Sequence, residues 1–266
     1  MPVTVKAHIA YRFYQPTDFL LQMEAAPIPE QILTGPGLTT SDSAHFARIP
    51  GEDDIGHRIW LRVNGDFTAD YTITADVQRT LAEIATLEAL EPHQLPGETV
   101  PYLFDSRFCP ADRFHSFVDA EFADLKGGAR IAAIHDWVAS NFTYEPGSSI
   151  ATTTALDSFV ERRGVCRDYA HVVVTMARAS AIPARYVSCY APGVDPQDFH
   201  AVAEVFLADP SGEPGTGNWH IVDATKMADP AQTVKIGIGR DAAEVSFLTS
   251  YGMAEMLDKQ IEVTTD

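Results

Sequence analysis

"GVCRDYAHVVVTMARASAIP", residues 164–183, is the stretch whose reading decides the fold. From Cys166 to Ile182 the run is mostly apolar and ends before Pro183, which predicts a buried helix beginning at the cysteine. A thiol at that position meets unpaired backbone N–H groups and the positive end of the helix macrodipole. Arg163 and Arg167 flank it in sequence, and such surroundings favour the thiolate, the reactive form of cysteine. Gly164 allows a sharp turn and leaves room for a substrate. By itself a cysteine here is equally well read as small apolar filler, so the decision rests on what surrounds the helix.

Downstream come three strands, "ARYVSCY" (184–190), "HAVAEVFL" (200–207) and "NWHIVDA" (218–224). Dense turn residues in "ADPSGEPGTG" (208–217) make the last two an antiparallel hairpin with a long loop. Counting inward from that loop sets residues 201–207 opposite 218–224, which brings His200 and Asp223 to one sheet edge. Neighbouring strands lie about 4.8 Å apart, within reach of an imidazole–carboxylate bond. Upstream, "GGARIAAIHDWVASNFTY" (127–144) places Ile131, Ile134, Trp137, Val138 and Phe142 at three- and four-residue spacing, and "TALDSFVERRG" (154–164) predicts a shorter helix stopping at Gly164. Helices followed by an antiparallel sheet give an α+β layout.

Residues 1–100 have a different rhythm. "VTVKAHIAYRF", "HRIWLRVNGDF" and "ADYTITADVQR" alternate apolar and polar positions, separated by turn signals such as "NGD" and "PGEDDIG". This predicts an N-terminal antiparallel β-sandwich-like domain. The proline-rich "LEPHQLPGETVPYLFDS" (90–106) reads as a linker, so residues 101–266 form the second unit.

Composition narrows the function. The chain has 266 residues, 45% of them apolar, enough for a substantial core. With 19 basic and 37 acidic residues its net charge is −18, which argues against nucleic acid or an anionic membrane surface as partner. No stretch approaches the roughly 20 apolar residues of a membrane span, and the N-terminus lacks the pattern of a signal peptide. Cys109, Cys166 and Cys189 are odd in number and widely spaced, unlike a disulfide framework or a paired metal site. A cytoplasmic setting is the expectation. No cofactor is implied, and no metal, since neither a close ligand pair nor an EF-hand run is present.

A nucleophilic cysteine needs a base within hydrogen-bond reach and a third group to orient that base, and the hairpin offers His200 and Asp223. The blocks "GVCRDYAH", "HAVAEVFL", "NWHIVDATKMADP" and "IGIGRDAAEV" resemble the Cys, His and Asp blocks of the transglutaminase-like superfamily, particularly its bacterial members. "DDIGHRIWLRV" is similar to the β-rich domain that precedes their catalytic core. The resemblance implies a papain-like core, with Cys166 as nucleophile, His200 as base and Asp223 orienting it. It implies acyl transfer through a thioester, ending on water in a peptidase or amidase, or on an amine in cross-linking, with a peptide or protein substrate. Val202 stands where a tryptophan is usual, and the tail "SFLTSYGMAEMLDKQIEVTTD" fits the family pattern loosely.

Other residues compete for these roles. His171, one and a half turns from Cys166, leaves on a different helix face. His220, three residues before Asp223, points to the opposite strand face. Both are read as structural. Asp168 is expected to cap the helix start. Glu204 either lines the cleft or pairs with an arginine. Arg240 and Asp241 form an ion pair or a cleft wall, and Trp219 is packing. The backbone N–H of Cys166 is one candidate oxyanion donor; no side-chain donor stands out in "TTTALDSFVERR". A catalytically silent module that binds a peptide in the same cleft is the alternative function.

Overall fold

The computed structural model describes residues 1–209 and 215–265. Residues 210–214 of the expected hairpin loop lie outside it. Among the described residues the fold has two large antiparallel sheets, one two-stranded parallel bridge and four α-helices, with several 3₁₀ turns between them.

The first sheet is built on two long strands, β1 (Val3–Leu21) and β4 (His57–Val77). β4 pairs in turn with β2 (Gln31–Thr40) and β3 (His45–Pro50). "NGD" is not a turn. Asn64, Gly65 and Asp66 lie within β4, and Gly65, at φ +93°, sits where the register against β1 slips between Phe13 and Thr17. Between the flanking pairs Phe13–Gly65 and Thr17–Val63, three residues of β1 face the single Asn64 of β4, a strongly irregular bulge that bends the pair. The bend is sharp. Phe13 and Phe19 are six residues apart, about 20 Å along a straight strand, yet their rings stack 4.8 Å between centroids. The sheet therefore folds over itself, and Phe13, Phe19, Phe67, Leu61 and Ile9 fill the space between its halves.

The second unit carries α1 (His115–Glu121), α2 (Gly127–Asn141), α3 (Ala155–Glu161) and α4 (Cys166–Ala179). Short strands β5 (Thr143–Tyr144) and β6 (Arg163–Gly164) bridge in parallel just before α4. The second sheet runs in the order β10 (Val234–Gly239), β7 (Ala184–Tyr190), β8 (His200–Ala208), β9 (Gly217–Val222). α4 packs on β7 and β8 and against α2 and α3, so Asp168 through Ala179 are all buried. α3 stops at Glu161 rather than Gly164, because Arg162 takes the left-handed conformation (φ 58°) that ends it. Among the described residues no helix is long and apolar enough to cross a membrane.

The expected division at residue 100 with a core running to 266 needs correction at both ends. Strands β11 (Leu248–Ser250) and β12 (Ala254–Thr265) return to pair with β1. Without them β1 would expose a long row of unpaired N–H and C=O groups, and buried Ile261 and Val263 belong to the sandwich core. The "linker" is also built in. Tyr102 within it is buried, donates a hydrogen bond to Asp53 (2.6 Å) and meets Trp219 edge-on.

Candidate active site

Cys166 is the first residue of α4, as the sequence requires, and is half-buried. Asp168 accepts a hydrogen bond from the N–H of Val165 at 2.8 Å, the cap expected of it, and pairs with Arg167 at 3.1 Å. Gly164 has a purpose the sequence did not reveal. A Cβ there would come within 2.5 Å of the Asp168 Cβ, so the glycine makes room for the cap rather than for a substrate.

The β8–β9 pairing has the expected register, with Ala203 opposite Val222 and Leu207 opposite Asn218. His200 and Asp223 are thereby joined: the His200 Nε2 lies 3.0 Å from the Asp223 Oδ2. Both side chains are almost fully buried. The Asp223 carboxylate also accepts bonds from the N–H and hydroxyl of Thr225 and from the N–H groups of Met227 and Ala228. Burial pushes this carboxyl up, but His200, Thr225 and Ala228 outweigh it and hold it below its ordinary value. Asp223 stays charged. Behind it, His135 on α2 donates from Nε2 to the Asp223 carbonyl at 3.1 Å.

With Nε2 committed to Asp223, Nδ1 is the nitrogen left for the thiol, and it carries no hydrogen bond of ordinary geometry. Burial works against a charged ring, yet Asp223 and then Cys166 hold the His200 imidazole up to about 9. The three residues selected from the sequence thus meet at the start of α4 and the near edge of the second sheet.

The structure adds a fourth residue. Tyr144 on β5 is aligned with Gly164, and the N–H of Glu145 donates to the Gly164 carbonyl at 2.9 Å. This brings the Tyr144 phenol near Cys166; burial, then the thiol, pushes its hydroxyl up to about 12, so it keeps its proton. Tyr144 lies outside "TTTALDSFVERR", the stretch just ahead of the cysteine in sequence. It comes from farther upstream, joined by a parallel bridge that leaves no periodic signal. Thr225 and His135 were missed as well, although the short spacing in "DAT" is a recognisable Asx-turn pattern.

The competing residues take other positions. His171 Nε2 accepts the N–H of Ala242 at 3.1 Å, and burial pushes its imidazole down to about 3. His220 on β9 stands opposite Val205, away from Asp223's pairing position. Glu204 is buried with Arg185 (2.8 Å) and Lys235, which hold its carboxyl at about 2 against the effect of burial. Arg240 pairs with Glu244, not Asp241, whose carboxylate accepts the N–H of Phe108 at 2.8 Å. Trp219 packs under the Arg185 guanidinium at 4.0 Å. Cys109 and Cys189 are buried, and desolvation raises both thiols.

Comparison with known proteins places this geometry in context. Residues 118–224 match the model of the transglutaminase-like superfamily. A crystal structure of a candidate cysteine protease from Cytophaga hutchinsonii superimposes with a TM-score of 0.91 at 31% identity, over 100% of this chain and 92% of that one. An uncharacterized Mycobacterium leprae protein is 31% identical over 153 residues, 52% of this chain and 54% of its own. An uncharacterized Mycobacterium tuberculosis protein is 31% identical over 140 residues, 48% of this chain and 43% of its own. The chain spans about half the length of these mycobacterial relatives.

Proposed function

Because the chain belongs to the transglutaminase-like superfamily, we propose that it is a cysteine-dependent acyl-transfer enzyme acting on amide bonds of a peptide or protein, with hydrolysis as the outcome. The observation that carries this reading is the division of labour on the His200 ring, Nε2 on Asp223 and Nδ1 left for Cys166.

The chemistry follows from those contacts. His200 takes the thiol proton through Nδ1, and the sulfur attacks the amide carbon. Asp223 fixes the tautomer and stabilises the imidazolium. Negative charge on the tetrahedral oxygen is met by the Cys166 backbone N–H and the Tyr144 hydroxyl. Collapse breaks the C–N bond, and the departing amine leaves with the proton held by His200. Water, deprotonated by His200, then attacks the thioester carbonyl and releases the acid and the free thiol. Hydrolysis is favoured over cross-linking because the full chain is similar, at 31% identity, to a candidate cysteine protease.

The test is to incubate the chain with a mixed peptide library in ¹⁸O-labelled water and read new carboxyl termini by mass spectrometry. The expected result is label in the products of the native chain and none with Cys166→Ala. Products that form equally with Cys166→Ala would overturn the reading. Unlabelled products joined to amines would replace hydrolysis by transamidation.

A further inference from the structure

The residues just before His200 are held by the C-terminal return of the chain. Gln197 uses both ends of its side-chain amide on one residue of β12: its Nε2 donates to the Val263 carbonyl at 2.8 Å, and the Val263 N–H donates to its Oε1 at 2.5 Å. β12 is paired with β1 along one edge, so Gln197 caps backbone groups on the other, as a further strand would. The same amide donates to the Pro192 carbonyl at 3.2 Å, tying the loop to its own start. Next to it, Asp198 accepts from Lys259 of β12 at 2.5 Å. Phe199 then stacks face to face on Phe247, with centroids 4.7 Å apart and planes within 7°, and packs on Tyr190 at 5.4 Å. Three consecutive side chains leading into the base are thus gripped by residues 247–263.

We infer that Gln197 is a positioning residue for His200, and that the β-sandwich, through β12, sets where the base stands relative to Cys166. The inference rests on the acyl-transfer reading of the site. Other attachments of His200 run along β8 to β7 and β9, and these fix the strand but not the loop that enters it. A side-chain amide bonded twice has one orientation, whereas loop backbone held only at its ends has many. In this account the sandwich is a part of the active site.

The experiment measures iodoacetamide alkylation of Cys166 against pH, with the three cysteines resolved by peptide mass, in the native chain, Gln197→Ala and Ile261→Ala. Ile261 lies in the same strand and is buried in the sandwich, so its truncation weakens β12 without removing the amide clamp. The titratable groups facing the thiol are His200 on β8, Tyr144 on β5, and Tyr186 and Cys189 on β7. The expected result is that Gln197→Ala moves the alkylation midpoint up by about one pH unit, as loosening of a close charged partner does, while Ile261→Ala lowers the thermal midpoint and leaves the pH profile in place. An unchanged profile in Gln197→Ala, or an equal shift in both variants, would overturn the inference and leave the acyl-transfer reading standing. A native chain whose Cys166 reacts only near the ordinary thiol value of about 8.5 would overturn both.

Discussion

At the scale of single residues, four side chains and their protons govern the site. Tyr144→Phe removes one hydroxyl and nothing else. Acylation of Cys166 by p-nitrophenyl acetate passes through a tetrahedral oxyanion and is expected to slow about 100-fold. Alkylation by iodoacetamide forms no oxyanion and is expected to stay within about twofold of native. Equal losses in the two assays would make Tyr144 a thiol-tuning group instead. The proton on His200 sets the alkaline limit. Its folded value is raised to about 9 from 6.5, so the stability it contributes is complete below 6.5 and lost as pH rises through 9. Asp223, held below its ordinary value, contributes above the usual carboxylate range and loses its share as pH falls. NMR titration of the His200 ring is expected to show the value near 9 dropping in Cys166→Ala, which removes the thiol; an unchanged titration would separate the two groups. Cys166, His200 and Asp223 were legible because each stands in a local pattern: a helix start, a strand start and a strand end. Tyr144 was not, since its nearness to Cys166 comes from a two-residue parallel bridge between β5 and β6.

At the scale of elements, α4 and the β8–β9 hairpin do the positioning, and both could be read directly. An unbroken apolar run names a buried helix, and a turn-rich loop between two strands sets their register. The long strands were harder. "NGD" ordinarily marks a hairpin, but here β1 supplies a partner along both arms of β4, and the extended pairing overrides the local turn preference. Glu204 shows the same limit. Its role as the shared partner of Arg185 and Lys235 depends on β7 lying between β8 and β10, an order that sequence spacing does not specify. Glu204→Leu removes the one fully buried carboxylate shared by two buried cations and leaves Arg185 only Asp53 at 3.8 Å and Lys235 only the partly exposed Glu30, which costs about 3 kcal/mol. Urea denaturation is expected to register that loss, and a cost under about 1 kcal/mol would mean that solvent reaches the pair.

At the scale of the whole molecule, the two units are not separate beads. Tyr190, Val234 and Ile236 of the second sheet sit in the sandwich core, the Tyr190 hydroxyl donates to the Met23 carbonyl at 2.7 Å, and β11 and β12 carry the chain back to β1. Composition and period marked a change of rhythm near residue 100, but a C-terminal strand that rejoins the first sheet has no signature beyond its alternation, and its partner is more than 240 residues away in sequence at Val3–Thr265. Shared core of this kind predicts one cooperative thermal transition, with calorimetric and van't Hoff enthalpies in agreement; two resolved transitions would restore the bead description. The most direct test of the central claim is alkylation of the folded chain by iodoacetamide from pH 4 to 9, at roughly half-unit steps across the ordinary thiol range. The account predicts labelling at Cys166 already below pH 7, slowed by His200→Ala, with buried Cys109 and Cys189 unlabelled until the chain unfolds. Labelling of Cys166 only as pH approaches about 8.5, indifferent to His200, would contradict it.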